Sequence, residues 1–165
     1  MSVFISSDWH LGHKLAAEIR GYKSVEEHDE AVLAAACAVL HKKSKLFILG
    51  DVAFRPAALL RIQEVPGVKA LVLGNHDTFR AARYLEVFND LHGALNYRDF
   101  LLTHVPSCAS PRFRANLHGH LHDKNTLEVS DWHYNLVIER HPVPIPFEML
   151  EAKFPANARV QEVEA

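Results

Sequence analysis

Length, composition and charge exclude several classes of protein. The chain has 165 residues, 48% hydrophobic and 23% charged, which is typical of one globular domain and of neither a disordered nor a fibrous protein. A formal net charge of -2 indicates neither a nucleic-acid nor a membrane partner, although a local basic patch stays open. We predict a cytoplasmic protein for three reasons. The two cysteines lie in unlike surroundings, the amino terminus has no signal-peptide features, and the apolar runs are too short to cross a bilayer.

The first half of the chain alternates predicted strands and helices. Three short apolar runs predict buried strands, at residues 3–5, 46–49 and 69–73. A capping box at Ser24 opens a helix predicted to run to about residue 42, and shorter helices are predicted at 57–63 and 79–87. This order predicts a parallel sheet with right-handed crossovers.

The second half predicts a second sheet. Paired strands are predicted at 94–97 and 100–103, and further strands at 127–129 and 135–138. A short helix at 146–153 precedes a charged tail that is expected to fray from about residue 155. With no linker and no internal repeat, residues 1–165 are predicted to form a single domain.

Polar residues follow the ends of the predicted strands in the first half. Asp8 and His10 come after the first strand, Asp51 after the second, and Asn75 and His76 after the third. Ligands of parallel α/β sheets bind beyond the carboxyl ends of the strands, so these residues are predicted to meet on one rim.

Histidines are concentrated in short clusters. Asp8-Trp9-His10 and His120-Leu121-His122 each place two donor groups at a spacing of two, which in an extended backbone points both side chains the same way. Such donors can bind a divalent cation, and a bound metal keeps crowded imidazoles neutral. Taken singly, each of these patterns is also consistent with an aspartate that caps a turn or with a surface histidine. The isolated His104 is likewise consistent with a structural role.

In their order along the chain, these segments resemble the signature of the calcineurin-like metallophosphoesterases. Five blocks match: Asp-Xaa-His at 8–10, Gly-Asp at 50–51, Gly-Asn-His-Asp at 74–77, an isolated His at 104 and Gly-His-Xaa-His at 119–122. The opening, residues 7–13, looks like the small, cap-free bacterial and phage-encoded members, with Trp9 bulkier than the residues usual there.

The resemblance implies a fold and a cofactor. The fold is a four-layer α/β/β/α sandwich of two mixed sheets, and the cofactor is a pair of divalent transition-metal ions. Seven residues would hold the two ions. The first ion would be bound by Asp8, His10 and His122, and the second by Asn75, His104 and His120. Asp51 would bind both ions. The mixed oxygen and nitrogen donors favour manganese, iron, zinc, nickel or cobalt over calcium or magnesium, and manganese is the ion expected first.

The resemblance also implies a reaction, the hydrolysis of a phosphoester by in-line attack of a hydroxide that bridges the two ions. His76 would assist the leaving group, and Asp77 would stabilise its imidazolium. Five further basic residues are candidate contacts to the phosphate, although exposed cations on loops usually contribute little: His13, Lys14, Arg55, Arg112 and Arg114.

Several functions stay open at this point. A chain of 165 residues has no space for a helical cap or a DNA-binding domain, which by analogy with the family favours a phosphodiesterase acting on small nucleotide-like or cyclic phosphodiesters. A phosphomonoesterase or a nuclease of the same fold is the alternative, and a homo-oligomer is not excluded. A non-catalytic binding scaffold is disfavoured because all seven ligands and His76 are present.

Overall fold

The structure is a computed structural model that describes residues 1–122 and 130–156. The strand predicted at 127–129 and most of the tail predicted to fray lie outside the described residues. The described residues have a mixed α/β fold with two mixed sheets, as the family resemblance implies. In this part of the chain, no helix combines the length and hydrophobicity needed to cross a membrane.

The first sheet has five strands and is parallel except at one edge. Its strands are β1 (Val3–Ser6), β2 (Lys45–Ile48), β3 (Val68–Val72), β4 (Asp90–His92) and β9 (Ile145–Pro146), in the order β4-β3-β2-β1-β9. Strands β1 to β4 pair in parallel, with Val3 opposite Lys45, and β9 is antiparallel to β1. The sequence predicts β1 to β3 closely but gives no indication of the short edge strands β4 and β9.

Five α-helices accompany the strands in the described residues: α1 (Lys14–Ile19), α2 (Val25–Val39), α3 (Pro56–Leu60), α4 (Ala81–Tyr84) and α5 (Phe147–Lys153). The predicted capping box is present, because the Ser24 side chain accepts a hydrogen bond from the Glu27 amide. Pro56 occupies the first turn of α3, where its missing N–H costs nothing. Helix α4 is shorter than predicted, and α1 was not predicted.

The second sheet has four strands, β5 (Leu95–Tyr97), β6 (Phe100–Leu102), β7 (Ala115–His118) and β8 (His133–Asn135), in that order. The predicted pair β5 and β6 is an antiparallel hairpin, and its two turn residues, Arg98 and Asp99, both have positive φ, as a tight hairpin requires. Strands β6, β7 and β8 are parallel. The strand predicted at 135–138 instead ends at Asn135.

The hydrophobic core lies on both faces of the first sheet. On the inner face, Ile5, Phe47 and Leu49 pack in one cluster with Phe100 and Leu102 of the second sheet. On the outer face, side chains of β2 and β3 pack against α2 and α3. Burial on both faces explains why these strands read as continuous apolar runs.

A leucine pair in β6 tests this assignment of faces. Leu102 is fully buried between the sheets, whereas its neighbour Leu101 is half-buried and points to the opposite face. Leu102→Ala should lower the free energy of unfolding by about 2–5 kcal/mol, because it leaves a cavity in the core. Leu101→Ala should cost less than half as much in urea denaturation. Equal losses would contradict the face-to-face packing of the sheets.

Candidate metal centre

The segments that follow β1 and β2 run side by side beyond the sheet. The amides of Asp8, His10 and Leu11 donate hydrogen bonds to the carbonyls of Gly50, Asp51 and Val52, at 3.1, 2.9 and 3.0 Å. The parallel pairing therefore continues past the strand ends. It fixes the first two predicted motifs relative to each other at the carboxyl end of the sheet, where ligands of α/β folds bind.

Five of the seven predicted metal ligands have a left-handed backbone, with φ between 47° and 69°: Asp8, His10, Asp51, His120 and His122. This conformation is uncommon for residues other than glycine, and it concentrates at functional sites. The extended backbone assumed from the spacing of two is therefore wrong for both motifs. Asp8 and His10 still approach each other, with His10 Nε2 3.6 Å from Asp8 Oδ1, while the intervening Trp9 is buried.

Asp8, His10 and His122 form a first group of donors. His10 Nε2 and His122 Nε2 lie 3.6 and 3.9 Å from Asp8 Oδ1. Asp8 Oδ1 and His10 Nε2 are buried, and neither makes a hydrogen bond to any described residue. Unpaired buried polar atoms are costly, so their convergence is the arrangement expected of a site that binds a cation.

Asp51 connects this group to a second one. Its Oδ2 atom lies 3.8 Å from His10 Nε2 and 3.4 Å from His104 Nε2. Donor atoms of Asp8, Asp51 and His104 also lie within 4.8 Å of one another. A carboxylate between two groups of imidazoles can bind two cations at once.

Asn75, His104 and His120 crowd their donor atoms together. Asn75 Oδ1 is 2.9 Å from both His104 Nε2 and His120 Nδ1, and the two nitrogens are 3.1 Å apart. His104 Nδ1 lies 2.8 Å from the Leu49 carbonyl, to which it donates, so in the neutral ring Nε2 carries a lone pair. Electron pairs at these separations repel unless a proton or a cation lies between them.

Two motif glycines are required for this close approach. A Cβ atom on Gly119 would overlap Ser7 Oγ and Asp8 Oδ2, and one on Gly50 would overlap the His104 ring. Gly50 also has φ of +88°, which other residues rarely adopt. The glycines of the Gly-Asp and Gly-His motifs thus allow the donor side chains to reach the centre.

The local electrostatics shift the pKa values of the candidate ligands in both directions. Burial acts to lower the pKa of His104, but the hydrogen bond with Asp51 raises it, and the hydrogen bond with Glu139 raises the pKa of His122. Burial acts to raise the pKa of Asp51, but hydrogen bonds with His104 and the His76 amide lower it below its ordinary value. Burial and the neighbouring His104 lower the pKa of His120. An ionised carboxylate and a neutral imidazole are the forms that coordinate a cation.

Asp77 does not have the place predicted for it beside the His76 ring. Its Oδ2 accepts hydrogen bonds from the amides of Asp51 and Gly74, both at 2.8 Å, and its Oδ1 from the Val52 amide at 3.0 Å. Both oxygens are therefore used to join the loops after β2 and β3. This corrects the predicted role: Asp77 positions the main chain around Asp51, and it is not a partner for an imidazolium. The His76 side chain itself is exposed at the edge of the centre.

Glu139 and Arg20 belong to the site, although no motif marks them. His122 Nδ1 lies 2.9 Å from Glu139 Oε1, which leaves Nε2 to face Asp8. Arg20 Nη2 donates to the same Glu139 oxygen at 2.8 Å. Burial acts to raise the pKa of Glu139, but the hydrogen bond with His122 and the charge of Arg20 lower it to about 2.

His13 lies next to the centre, as predicted. Its Nδ1 accepts the Ala16 amide at 3.1 Å and caps helix α1, and its ring centroid is 5.7 Å from that of His10. Phe54, which the sequence does not single out, packs between them, at 4.1 Å from His13 and 5.2 Å from His10 between ring centroids. The predicted contact Arg55 is exposed, and its aliphatic stem approaches Gly12.

Arg112 and Arg114 are placed away from the candidate centre. Arg114 precedes the amino end of β7, whereas the histidine ligands follow its carboxyl end. Its guanidinium donates to the Phe154 and Glu151 carbonyls at 2.7 and 3.0 Å, and that of Arg112 lies over the Phe113 ring. The predicted phosphate contacts of these two arginines are therefore not supported. Lys14 is exposed and pairs with Glu18 at 3.7 Å.

Comparison with known proteins gives a fold and one relative. No protein-family model matches the chain. The Gene 66 protein of Mycobacterium phage L5 is 34% identical over 124 residues, 72% of this chain and 56% of that protein, so the chain spans little more than half of this relative's length.

Two solved structures resemble the fold. One, a protein of unknown function from Aquifex aeolicus, has a TM-score of 0.71 at 19% identity over 92% of this chain and 98% of its own. The other, Pseudomonas putida nuclease MPE, has a TM-score of 0.53 at 23% identity over 73% of this chain and 61% of its own. At these identities the likeness shows a shared fold.

The hydrogen bonds of Asp77 predict its mutational effect. In Asp77→Asn, an NH₂ group replaces one acceptor, so at least one of the three main-chain amides faces a donor. We expect a loss of about 1–3 kcal/mol in the free energy of unfolding, measured by urea denaturation. Asp90→Asn, at an exposed carboxylate of β4, should leave stability unchanged. If both variants were as stable as the original chain, Asp77 would not join the two loops.

Proposed function

We propose that this protein is a metal-dependent phosphoesterase that hydrolyses small phosphodiesters. The observation that carries the proposal is the convergence of seven oxygen and nitrogen donors from five separate segments, with Asp8 Oδ1 and His10 Nε2 buried and unpaired among the described residues. Such a donor set fits divalent transition metals, and an exposed histidine beside it fits proton transfer to a substrate.

The order of the motifs and the shared fold support a family assignment. The proposal includes membership of the calcineurin-like metallophosphoesterases, with their four-layer sandwich and a centre of two divalent transition-metal ions, of which manganese is the first to test. A nuclease shares the fold, and nucleases also hydrolyse phosphodiester bonds. The compartment proposed is the cytoplasm.

The division of the ligands between the two ions follows the family resemblance. Asp8, His10 and His122 would hold one ion, and Asn75, His104 and His120 the other, with Asp51 between them. When bound, two such ions would activate water and neutralise charge on the phosphoryl oxygens. Glu139 holds the His122 ring and the Leu49 carbonyl holds the His104 ring, so each imidazole presents one fixed nitrogen.

Two further histidines, His13 and His76, would contact the substrate. His13 Nδ1 accepts a main-chain hydrogen bond, so Nε2 carries the proton and can donate to a phosphate oxygen. Burial and the nearby His10 and His76 lower the pKa of His13, which favours this neutral form. His76 is exposed and tethered through its amide to Asp51 Oδ1 at 2.9 Å, so its ring can reach the leaving oxygen.

A nuclease is the second candidate, favoured by the fold shared with the Pseudomonas putida enzyme. The chemistry at phosphorus would be the same, and only the length of the substrate would differ. The net charge of -2 is the observation against it, because binding along a nucleic-acid backbone requires clustered cations. The rates of hydrolysis of a short single-stranded oligonucleotide and of a small diester, measured side by side, distinguish the two candidate functions.

The test is metal-dependent hydrolysis of bis-p-nitrophenyl phosphate beside p-nitrophenyl phosphate. Metal-stripped protein should be inactive and should regain activity with manganese, nickel or zinc, with the diester preferred. His76→Ala should lower kcat by about 100-fold or more, because it removes general acid catalysis, while still binding metal. His41→Ala, at an exposed histidine outside the centre, is the matched control and should retain activity.

Metal analysis of the same samples decides what a negative result means. Two ions per chain, reduced by Asp51→Asn, are expected. Failure to bind any divalent metal would overturn the proposal. Two bound ions without turnover of either ester or of an oligonucleotide would favour a binding scaffold over an enzyme.

A further inference from the structure

Helix α1 faces the candidate metal centre across a cavity of about 460 Å³. His10, His76 and His122 form one side of this cavity, and Leu15, Ala16 and Ile19 of α1 form another. A volume of this size is within the range of small-ligand sites. A molecule bound at the metal centre would therefore extend towards an apolar wall.

The two large apolar side chains of α1, Leu15 and Ile19, are not buried within the protein. Leu15 is 57% exposed and Ile19 74% exposed, and Ala17 is the one buried residue of the helix. Leu15 and Ile19 are four positions apart, so they lie on one face of the helix. Helices of this length are unstable alone, and packing of an apolar face normally stabilises them. Here that face is directed to the cavity instead.

The charges around the cavity disfavour a second phosphate next to helix α1. Among the described residues, Arg20 is the one arginine or lysine that lines it. Its guanidinium already donates to Glu139 and to the Asp8 and Trp9 carbonyls, at 2.8 to 3.1 Å. A phosphate chain needs free cations, whereas an aryl ring or a nucleobase needs apolar area.

From this combination we infer that Leu15, Ala16 and Ile19 form a subsite that binds an aromatic ester group of the substrate, of the aryl or nucleobase class. The inference rests on the proposed function. A phosphate at the metal centre would place one of its ester groups between His76 and α1. The subsite makes α1 a determinant of specificity, distinct from the ligands that bind the metals.

The test uses two non-hydrolysable probes, phenylphosphonate and methylphosphonate, titrated calorimetrically into the manganese-loaded protein. Both carry the same phosphonate group, and only one can fill the subsite. Phenylphosphonate should bind about tenfold more tightly, from the additional apolar area that it buries. The double variant Leu15→Ser/Ile19→Ser should lose this preference and keep its affinity for methylphosphonate.

A matched double variant controls for the loss of surface hydrophobicity. Leu85 is 54% exposed and Met149 63% exposed, and neither lines the cavity. Leu85→Ser/Met149→Ser should therefore keep the full preference for phenylphosphonate. Equal affinities for the two probes, or a preference that survives in the α1 variant, would overturn the subsite and leave the proposed function intact. If neither probe bound the metal-loaded protein, the proposed function would fail and the subsite with it.

Discussion

The structure depends most on an electrostatic constraint, the repulsion among electron-pair donors that the strand ends bring together. Asn75 Oδ1, His104 Nε2 and His120 Nδ1 lie within 3.1 Å of one another, and Asp51 Oδ2 is 3.4 Å from the same His104 nitrogen. Positive charge placed among them would convert this repulsion into attraction. Protons could supply that charge only at the expense of the lone pairs, whereas a divalent cation uses them. The hydrogen bond with Asp51 raises the pKa of His104, so protons and a metal ion would compete for the same donor atoms.

The surrounding backbone holds these donors in place against that repulsion. Five ligands occupy a left-handed conformation, which costs of order 1–3 kcal/mol each and persists only when neighbouring contacts fix it. The fixing contacts are hydrogen bonds with main-chain groups. The Asp77 carboxylate accepts three amides around Asp51, and the amides after β1 donate to the carbonyls after β2. These main-chain contacts thus fix the geometry of the site, and the buried core provides the free energy for it.

The sequence predicts the elements that local, periodic patterns determine. It does not predict the features that depend on contacts between distant parts of the chain. Strands β1 to β3 and the hairpin of β5 and β6 follow from apolar runs with clear ends, and the convergence of polar residues follows from parallel pairing. Helix α1 could not be predicted, because its cap is the unusual His13. Glu139 could not be linked to the site either, since its contact with Arg20 spans 119 residues. Arg114 directly precedes β7 and so adjoins its amino end, whereas the histidine ligands follow the carboxyl end.

Arg20 relates the two parts of the proposed active site, the metal ligands and helix α1. It is the residue that ends α1, and its guanidinium donates to the Asp8 and Trp9 carbonyls and to Glu139. Through Glu139 it fixes the ring of His122, and through the carbonyls it fixes the end of the helix that carries Ile19. One buried cation therefore sets the distance between the metal ligands and the apolar wall. Leu15 and Ile19 can vary without affecting these hydrogen bonds, so the fold allows specificity to change while the metal centre is preserved.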